Sequence, residues 1–381
     1  MKFHFKKLSF FIFIALVSYA IIEATCYVFL KTGYIKSNLP TFQFSFKAKD
    51  YPYQIADIHP VWGTWHYAET YNFKGDCFNV PYNINSYGTR DKERIVKSTD
   101  SNRVLVLGDS FIEGFGIEER GRLSNLLEAE TGNEFLNFGC SDFGTAQEYL
   151  LYKNLASKFT HSTILLSILP MNDFYDNDIN YHKGLYDGYV RYKPYYIKDS
   201  GKYNLVYADS NFQNSTFNKE GYLKKNNSVK GTLARFLRAY TACFNVLDYF
   251  RHVKKRSTYY SQNYSGFVNY KKSDIERLSY LIKEIKSLAQ NKRFIVFTIP
   301  VESEIKRYQQ DGQNPLAGEL LKLCKETKVE FIDLLPLYAG KQIKDYFLPC
   351  NPHWNHEGNK FAAEILKPLF ESKKNFTQQT N

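Results

Sequence analysis

Apolar residues fall along the chain in three regimes. The first is one unbroken run, LSFFIFIALVSYAIIEATCYVFL over 8–30, with Glu23 as its single charge. A bilayer-spanning helix needs about 20 apolar residues, so the run is long enough. A cleaved signal carries an apolar run of about 7–15 residues and an A-x-A-like site, so an uncleaved anchor is the better fit. The second regime, 31–83, is aromatic and polar with no long period, and reads as a stalk and wrapping segment. From 84 to about 370 the pattern turns regular.

Five short apolar runs predict buried strands: RVLVLGDS (103–110), EFLNFGC (134–140), STILLSILP (162–170), RFIVFTIP (293–300) and VEFIDLL (329–335). Helical spacing separates them. Leu123, Leu126 and Leu127 predict a short helix ending near Gly132, and a second helix runs from about 145 to 158. Ile275, Leu278, Ile282, Ile285 and Leu288 mark a third face, 314–327 a fourth, and Ala362, Ile365, Leu366 and Leu369 the last. Alternating strands and helices predict an α/β fold, with helices on both sides of a central parallel sheet. Residues 175–270 break the rhythm with Tyr, Asn and Lys, some alternation, and a helical stretch near 231–251. They read as an insertion. Residues 1–7 and 371–381 read as tails.

The chain has 381 residues, 44% hydrophobic and 23% charged, a balance that excludes global disorder. Its net charge of +11 favours anionic partners. The lysines are dispersed, with no Arg-rich arm or zinc-finger spacing, so nucleic acid is not expected. Lys2, Lys6 and Lys7 precede the apolar run and Lys31 and Lys36 follow it, a slight asymmetry. The short tail is placed in the cytoplasm and the rest outside. Cys26 lies in the run. Cys77, Cys140, Cys243, Cys324 and Cys350 would face an oxidising compartment, and an odd number leaves at least one free. The absence of CxxC argues against a structural zinc site. Asn214, Asn226, Asn263 and Asn375 stand in N-x-S/T triplets, which arise easily in an Asn-rich chain.

In parallel sheets, ligands bind beyond the carboxyl ends of the strands. Residues with useful chemistry follow these apolar runs at once. Ser110 ends the first, in V-L-G-D-S-F, and Gly139 ends the second. Asn172 follows the third, in L-P-M-N-D-F, and His353 sits in P-C-N-P-H-W-N just before the last helix. Each has an ordinary reading: a capping serine, a strand-end glycine, an Asx turn, a surface histidine. Their common placement at one edge of one sheet is the signal.

With these elements the chain resembles the SGNH/GDSL hydrolase family over about 84–370. The elements are G-D-S (108–110), the glycine of N-F-G (137–139), N-D (172–173), and H-W-N with a downstream G-x-x-x-A-A (353–363). I-N-S-Y-G-T-R-D (84–91) resembles the entry segment of membrane-associated bacterial members. The resemblance implies a three-layer α/β/α sandwich, flavodoxin-like in its sheet. It implies Ser110 as nucleophile, His353 as base, and the Ser110 N–H, Gly139 N–H and Asn172 amide as oxyanion hole. Members act on esters, as lipases, thioesterases, glycan deacetylases or sugar O-acetyltransferases. No metal or organic cofactor is implied.

Two positions depart from the family. Met171 stands where a glycine often precedes Asn172. Where an Asp usually sits two or three residues before the histidine, this chain has Asn351 and Cys350. An Asn oxygen orients an imidazole but lends it no charge. Asp345 is the other candidate to orient His353, whereas Asp109 belongs to the G-D-S turn. The expectation is a membrane-anchored, extracytoplasmic serine esterase or acyltransferase for O-acylated small molecules or surface glycans. The rival is a catalytically silent binding or assembly protein in surface-polysaccharide modification or export.

Overall fold

The computed structural model describes residues 2–35, 37, 39–47, 56–100, 102–180, 192–207, 219–259 and 264–371. The triplets at Asn214, Asn263 and Asn375, Lys36 and nearly all of the 371–381 tail lie outside them. The chain divides into two compact units. One comprises Met1–Gln54, Lys183–Val190 and Gln213–Gln262; the other comprises Ile55–His182, Arg191–Phe212 and Asn263–Asn381.

The larger unit is built on a parallel sheet. Its strands are β1 (Val104–Gly108), β2 (Phe135–Gly139), β3 (Thr163–Ile168), β4 (Arg293–Thr298) and β5 (Glu330–Asp333), in the order β5-β4-β3-β1-β2. They are the five apolar runs, trimmed at their ends. Every residue of β1, β2 and β3 is buried, because helices cover both faces of the sheet. The chain steps from β1 out to β2, then crosses back to β3 and continues to β4 and β5. With right-handed crossovers this reversal sends α1 (Leu123–Thr131) to one face. It sends α2 (Thr145–Asn154), α3 (Lys272–Ala289) and α4 (Pro315–Thr327) to the other. The last helix, α5 (His356–Leu366), packs on α1 and completes the first face. The reversal point lies between β1 and β3, the place where such sheets open a crevice at their carboxyl edge.

Several parts of this unit were not read as elements in the pattern, among them the helix Pro170–Asp176. The segment read as a wrap contains two hairpins, Ala56–His59 with Gly63–His66 and Thr70–Lys74 with Asn79–Asn83. Their strands are four or five residues long, too short for a period to register. Helix Glu302–Asp311 buries only Glu304 and Ile305, so it shows no apolar face in sequence. The alternating stretch in 175–270 forms the hairpin Pro194–Asp199 with Lys202–Tyr207.

The smaller unit holds the N-terminal helix Lys2–Lys31 and the helices Val229–Tyr240 and Ala242–Tyr259, which break at Thr241. Lys7–Lys31 has a mean hydropathy of 2.0 with none of its apolar window buried, and is long and apolar enough to cross a membrane. Its one internal charge has a structural account. The Glu23 carboxylate accepts the N–H groups of Ala242 and Cys243, the first orphan donors of helix Ala242–Tyr259. Leu30 and Ile35 pack there with Ala242 and Val246.

Candidate active site

Strand β1 runs directly into a single helical turn, Ser110–Glu113, capped by Asp109, whose Oδ1 accepts the Phe111 N–H at 2.9 Å. Two glycines let this turn lie against the strand ends. A Cβ on Gly108 would come within 2.2 Å of Ser167 Oγ and 2.3 Å of Ile112 Cγ1. One on Gly139 would come within 2.4 Å of the Glu113 nitrogen. From the other side the turn is held by Arg90, of the 84–91 segment. Its buried guanidinium lies 3.5 Å over the Tyr82 ring. It donates to the carbonyls of Glu113, Gly114, Ile117 and Pro81. The serine therefore sits on a braced turn rather than a loose loop.

His353 reaches it from the loop before α5. Phe347 and Trp354 pair as a bridge, and the Leu348 N–H donates to the His353 carbonyl at 2.8 Å, so the loop closes on itself. His353 Nε2 lies 2.7 Å from Ser110 Oγ. Its Nδ1 faces the side-chain oxygen of Asn351. The imidazole is stacked on Phe115 at 4.2 Å, with Phe111 at 4.8 Å. A disulfide joins Cys350, in the same loop, to Cys77, between the strands Thr70–Lys74 and Asn79–Asn83. Cys26, Cys140, Cys243 and Cys324 are free.

The electrostatics follow from burial. Desolvation pulls the His353 pKa down to about 4, against a smaller upward pull from Asp142. The ring is neutral at ordinary pH. Asn351 accepts from Nδ1–H, which leaves the Nε2 lone pair facing the serine. That is the tautomer a general base needs. Asp345 does not fill this place. Its side chain is exposed, and its backbone carbonyl accepts from Asn355.

The three expected oxyanion donors differ. The Ser110 N–H heads a helical turn and has no intrahelical acceptor. Asn172 lies half-buried just beyond β3, beside the end of β1 in the sheet, and its amide has no hydrogen bond among the described residues. The Gly139 N–H departs from expectation: it is donated to Asn137 Oδ1 at 2.9 Å. What Gly139 contributes here is close packing.

Behind the turn lies a buried acidic set. Burial pushes the Asp109 carboxyl well above its usual range, with Asp173 adding to the effect, and Oδ2 has no partner among the described residues. Asp173 is pushed up to about 7 by burial, although it accepts from Leu169 N, Thr145 N and Thr145 Oγ1. Lys193 closes the set on Asp176 at 2.6 Å. Burial thus favours the protonated form of Asp109 beside the nucleophile. Nearby, buried His66, Glu113 and Cys140 place ligand atoms within 4.8 Å of one another, residue types that could hold a metal ion. One Glu113 oxygen is already taken by the Ser141 N–H.

Sequence reasoning missed the Phe111 and Phe115 clamp, the bracing role of Arg90 and the disulfide. For the clamp the hint was the nearness of both Phe residues to Ser110 in the chain; Arg90 lay in the 84–91 segment already singled out, and Cys77 and Cys350 were among the cysteines placed in an oxidising compartment.

No known family profile and no curated protein matches the chain. Solved structures do. A lipolytic protein of the G-D-S-L family from Veillonella parvula aligns at 14% identity and TM-score 0.37, over 70% of this chain and 97% of that one. A GDSL-like lipase from Bacteroides thetaiotaomicron aligns at 10% and TM-score 0.36, over 73% and 91%. An acetyl xylan esterase aligns at 12% and TM-score 0.37, over 70% and 98%. At these identities and TM-scores the likeness carries no argument about chemistry.

Proposed function

We propose that this chain is a serine esterase of the SGNH/GDSL type, acting on O-acyl esters outside the cytoplasm. The observation that carries it is the 2.7 Å approach of His353 Nε2 to Ser110 Oγ, with an acceptor on Nδ1. In this reading Ser110 attacks the ester carbonyl while His353 takes its proton. The Ser110 N–H and the Asn172 amide stabilise the oxyanion. His353 then returns the proton to the leaving alcohol. The acyl-enzyme passes its acyl group to water, or to a sugar hydroxyl if the protein is a transferase. The apolar helix supports an anchor, and the Cys77–Cys350 bond supports an oxidising compartment. Both fit a substrate at the cell surface, such as an acylated glycan.

Ser110→Ala tests the chemistry. It should remove most turnover of an aryl acetate, leaving about 10³-fold over water from the oxyanion hole and binding. Unchanged turnover by the purified variant would sink the assignment.

Asn351 favours a second reading, a catalytically silent binding protein, because its neutral amide gives the imidazolium no counter-charge. A fluorophosphonate probe separates the two. Covalent labelling of wild type that is lost in Ser110→Ala identifies an enzyme.

A further inference from the structure

The smaller unit presents an apolar surface on the helix that precedes the one packed against Lys2–Lys31. Val229, Leu233, Phe236 and Tyr240 recur at i, i+4, i+7 and i+11, one stripe of a helix. All four are exposed, from 90% at Val229 to 39% at Tyr240. The stretch 221–247 carries Lys224, Lys225, Lys230, Arg235 and Arg238 and no acidic residue, with Glu220 just before it and Asp248, just after it, paired to Arg238 at 3.2 Å. Arg235 donates to the carbonyls of Ser45 and Phe46, which draws an aromatic strip alongside. Phe44 meets Phe236 at 5.4 Å and Phe42 meets Tyr240 at 6.3 Å, while Phe42 and Phe46 stay exposed. A helix with one apolar stripe, basic flanks and aromatic neighbours has the chemistry of a bilayer interface.

Its height along the N-terminal helix can be read. Glu23 caps Ala242 and Cys243, so helix Ala242–Tyr259 starts level with Glu23. That is about 12 Å, eight residues at 1.5 Å each, before Lys31. Cys26, Tyr27 and Leu30 then pack beside Ala242, Val246 and Tyr249, so the two helices run in the same direction. Near lipid, uncapped helix N–H groups and a lone carboxylate are each costly. Here each satisfies the other. The break at Thr241, one residue before Ala242, therefore lies in the outer third of the apolar span.

We propose that helix Val229–Tyr240, with the Phe42–Phe46 strip, is a second membrane contact that lies flat in the outer interface of the bilayer crossed by Lys2–Lys31. Its apolar stripe enters the boundary between headgroups and acyl chains. Lys230, with Lys224 just before the helix, faces anionic headgroups. The occupant is therefore an anionic lipid surface, chosen by charge complementarity, and the inference rests on the anchor reading.

The test uses the full chain in vesicles of phosphatidylcholine, with and without phosphatidylglycerol. Leu233→Trp and, separately, Val229→Trp place an indole at exposed positions where the larger residue meets no packing. The emission added over wild type should be blue-shifted. Lipids brominated high on their acyl chains should quench most of it, and more strongly when phosphatidylglycerol is present. Flotation of the same samples reports the anchor. Floating protein whose added indole emits as in water and is not quenched overturns the interfacial helix and leaves the anchor standing. Equal quenching in both lipid mixtures overturns the anionic-headgroup assignment. Protein that fails to float overturns the anchor reading and the inference with it.

Discussion

On the esterase reading, Asn351→Asp should raise turnover and shift its pH profile. Asp is nearly isosteric with Asn, and the loop that carries residue 351 is fixed by a bridge, a backbone hydrogen bond and a disulfide. The change is therefore one of charge at the atom facing Nδ1 of His353. Burial has brought the imidazole from 6.5 to about 4, which disfavours its cation by about 2.5 pKa units. At 1.36 kcal/mol per unit that is about 3 kcal/mol against the imidazolium formed as Ser110 loses its proton. A carboxylate on Nδ1 offsets that cost. If the cation is fully formed in the transition state, the gain is about 10²-fold, within the roughly 10⁴-fold that the reverse exchange costs in a true triad. The sign of the pH effect is fixed by the same charge. The base works only when neutral, so wild-type kcat/KM should hold down to about pH 5 and fall through about pH 4. In Asn351→Asp the His353 pKa rises and the acid limb moves up with it. The variant's advantage should be greatest near about pH 8 and shrink toward about pH 5. The assay is kcat/KM for an aryl acetate across that range, for both proteins. Equal rates with superimposed acid limbs would show that residue 351 does not govern the imidazole, and the reasoning would fall.

Cys77→Ser, or reduction of wild type with dithiothreitol, should free the His353 loop and lower kcat, since a misplacement of about 1 Å can cost 10²-fold. Esterase rates with and without reductant check it, with Cys77→Ser insensitive to the reductant. Phe115→Ala should remove the ring stacked on His353 and admit water. Turnover should fall by about tenfold, because the base loses its fixed orientation, and the acid limb should move up from about 4 as desolvation is relieved. Asp109→Asn should flatten the dependence of Tm on pH. The raised carboxyl stabilises the fold fully only below its unfolded value of about 4, and that contribution is lost as pH rises through the folded value. A wild type that melts no earlier relative to Asp109→Asn at about pH 8 than at about pH 5 would count against a protonated Asp109.

The five strands were legible because burial on both faces writes continuous apolar runs such as VLVLG and TILLSI. The positions of Ser110 and His353 were legible for a related reason. One ends such a run, the other precedes the last amphipathic helix, and topology brings those ends together. Which group meets Nδ1 was not legible, since Asn351 and Asp345 are both near His353 in sequence and only the loop's closure selects between them. The Phe115 stack, the Arg90 brace and the pairing of Cys77 with Cys350 join segments far apart in the chain. No local period records such contacts. The Gly139 N–H shows the opposite failure: the motif suggested an open donor, and the neighbouring Asn137 occupies it.

The bond between Cys77 and Cys350 spans 273 residues of sequence. It can close only after both ends of the larger unit have been made and brought together. The base loop therefore receives its final restraint last, and only where thiols are oxidised. A copy held back in a reducing cytoplasm would fold its sheet and place its serine, yet keep a slack histidine. On the proposed function, catalytic competence is then tied to delivery: the same covalent step that completes the site would also certify arrival outside the cytoplasm, and esters inside the cell would be spared in the meantime.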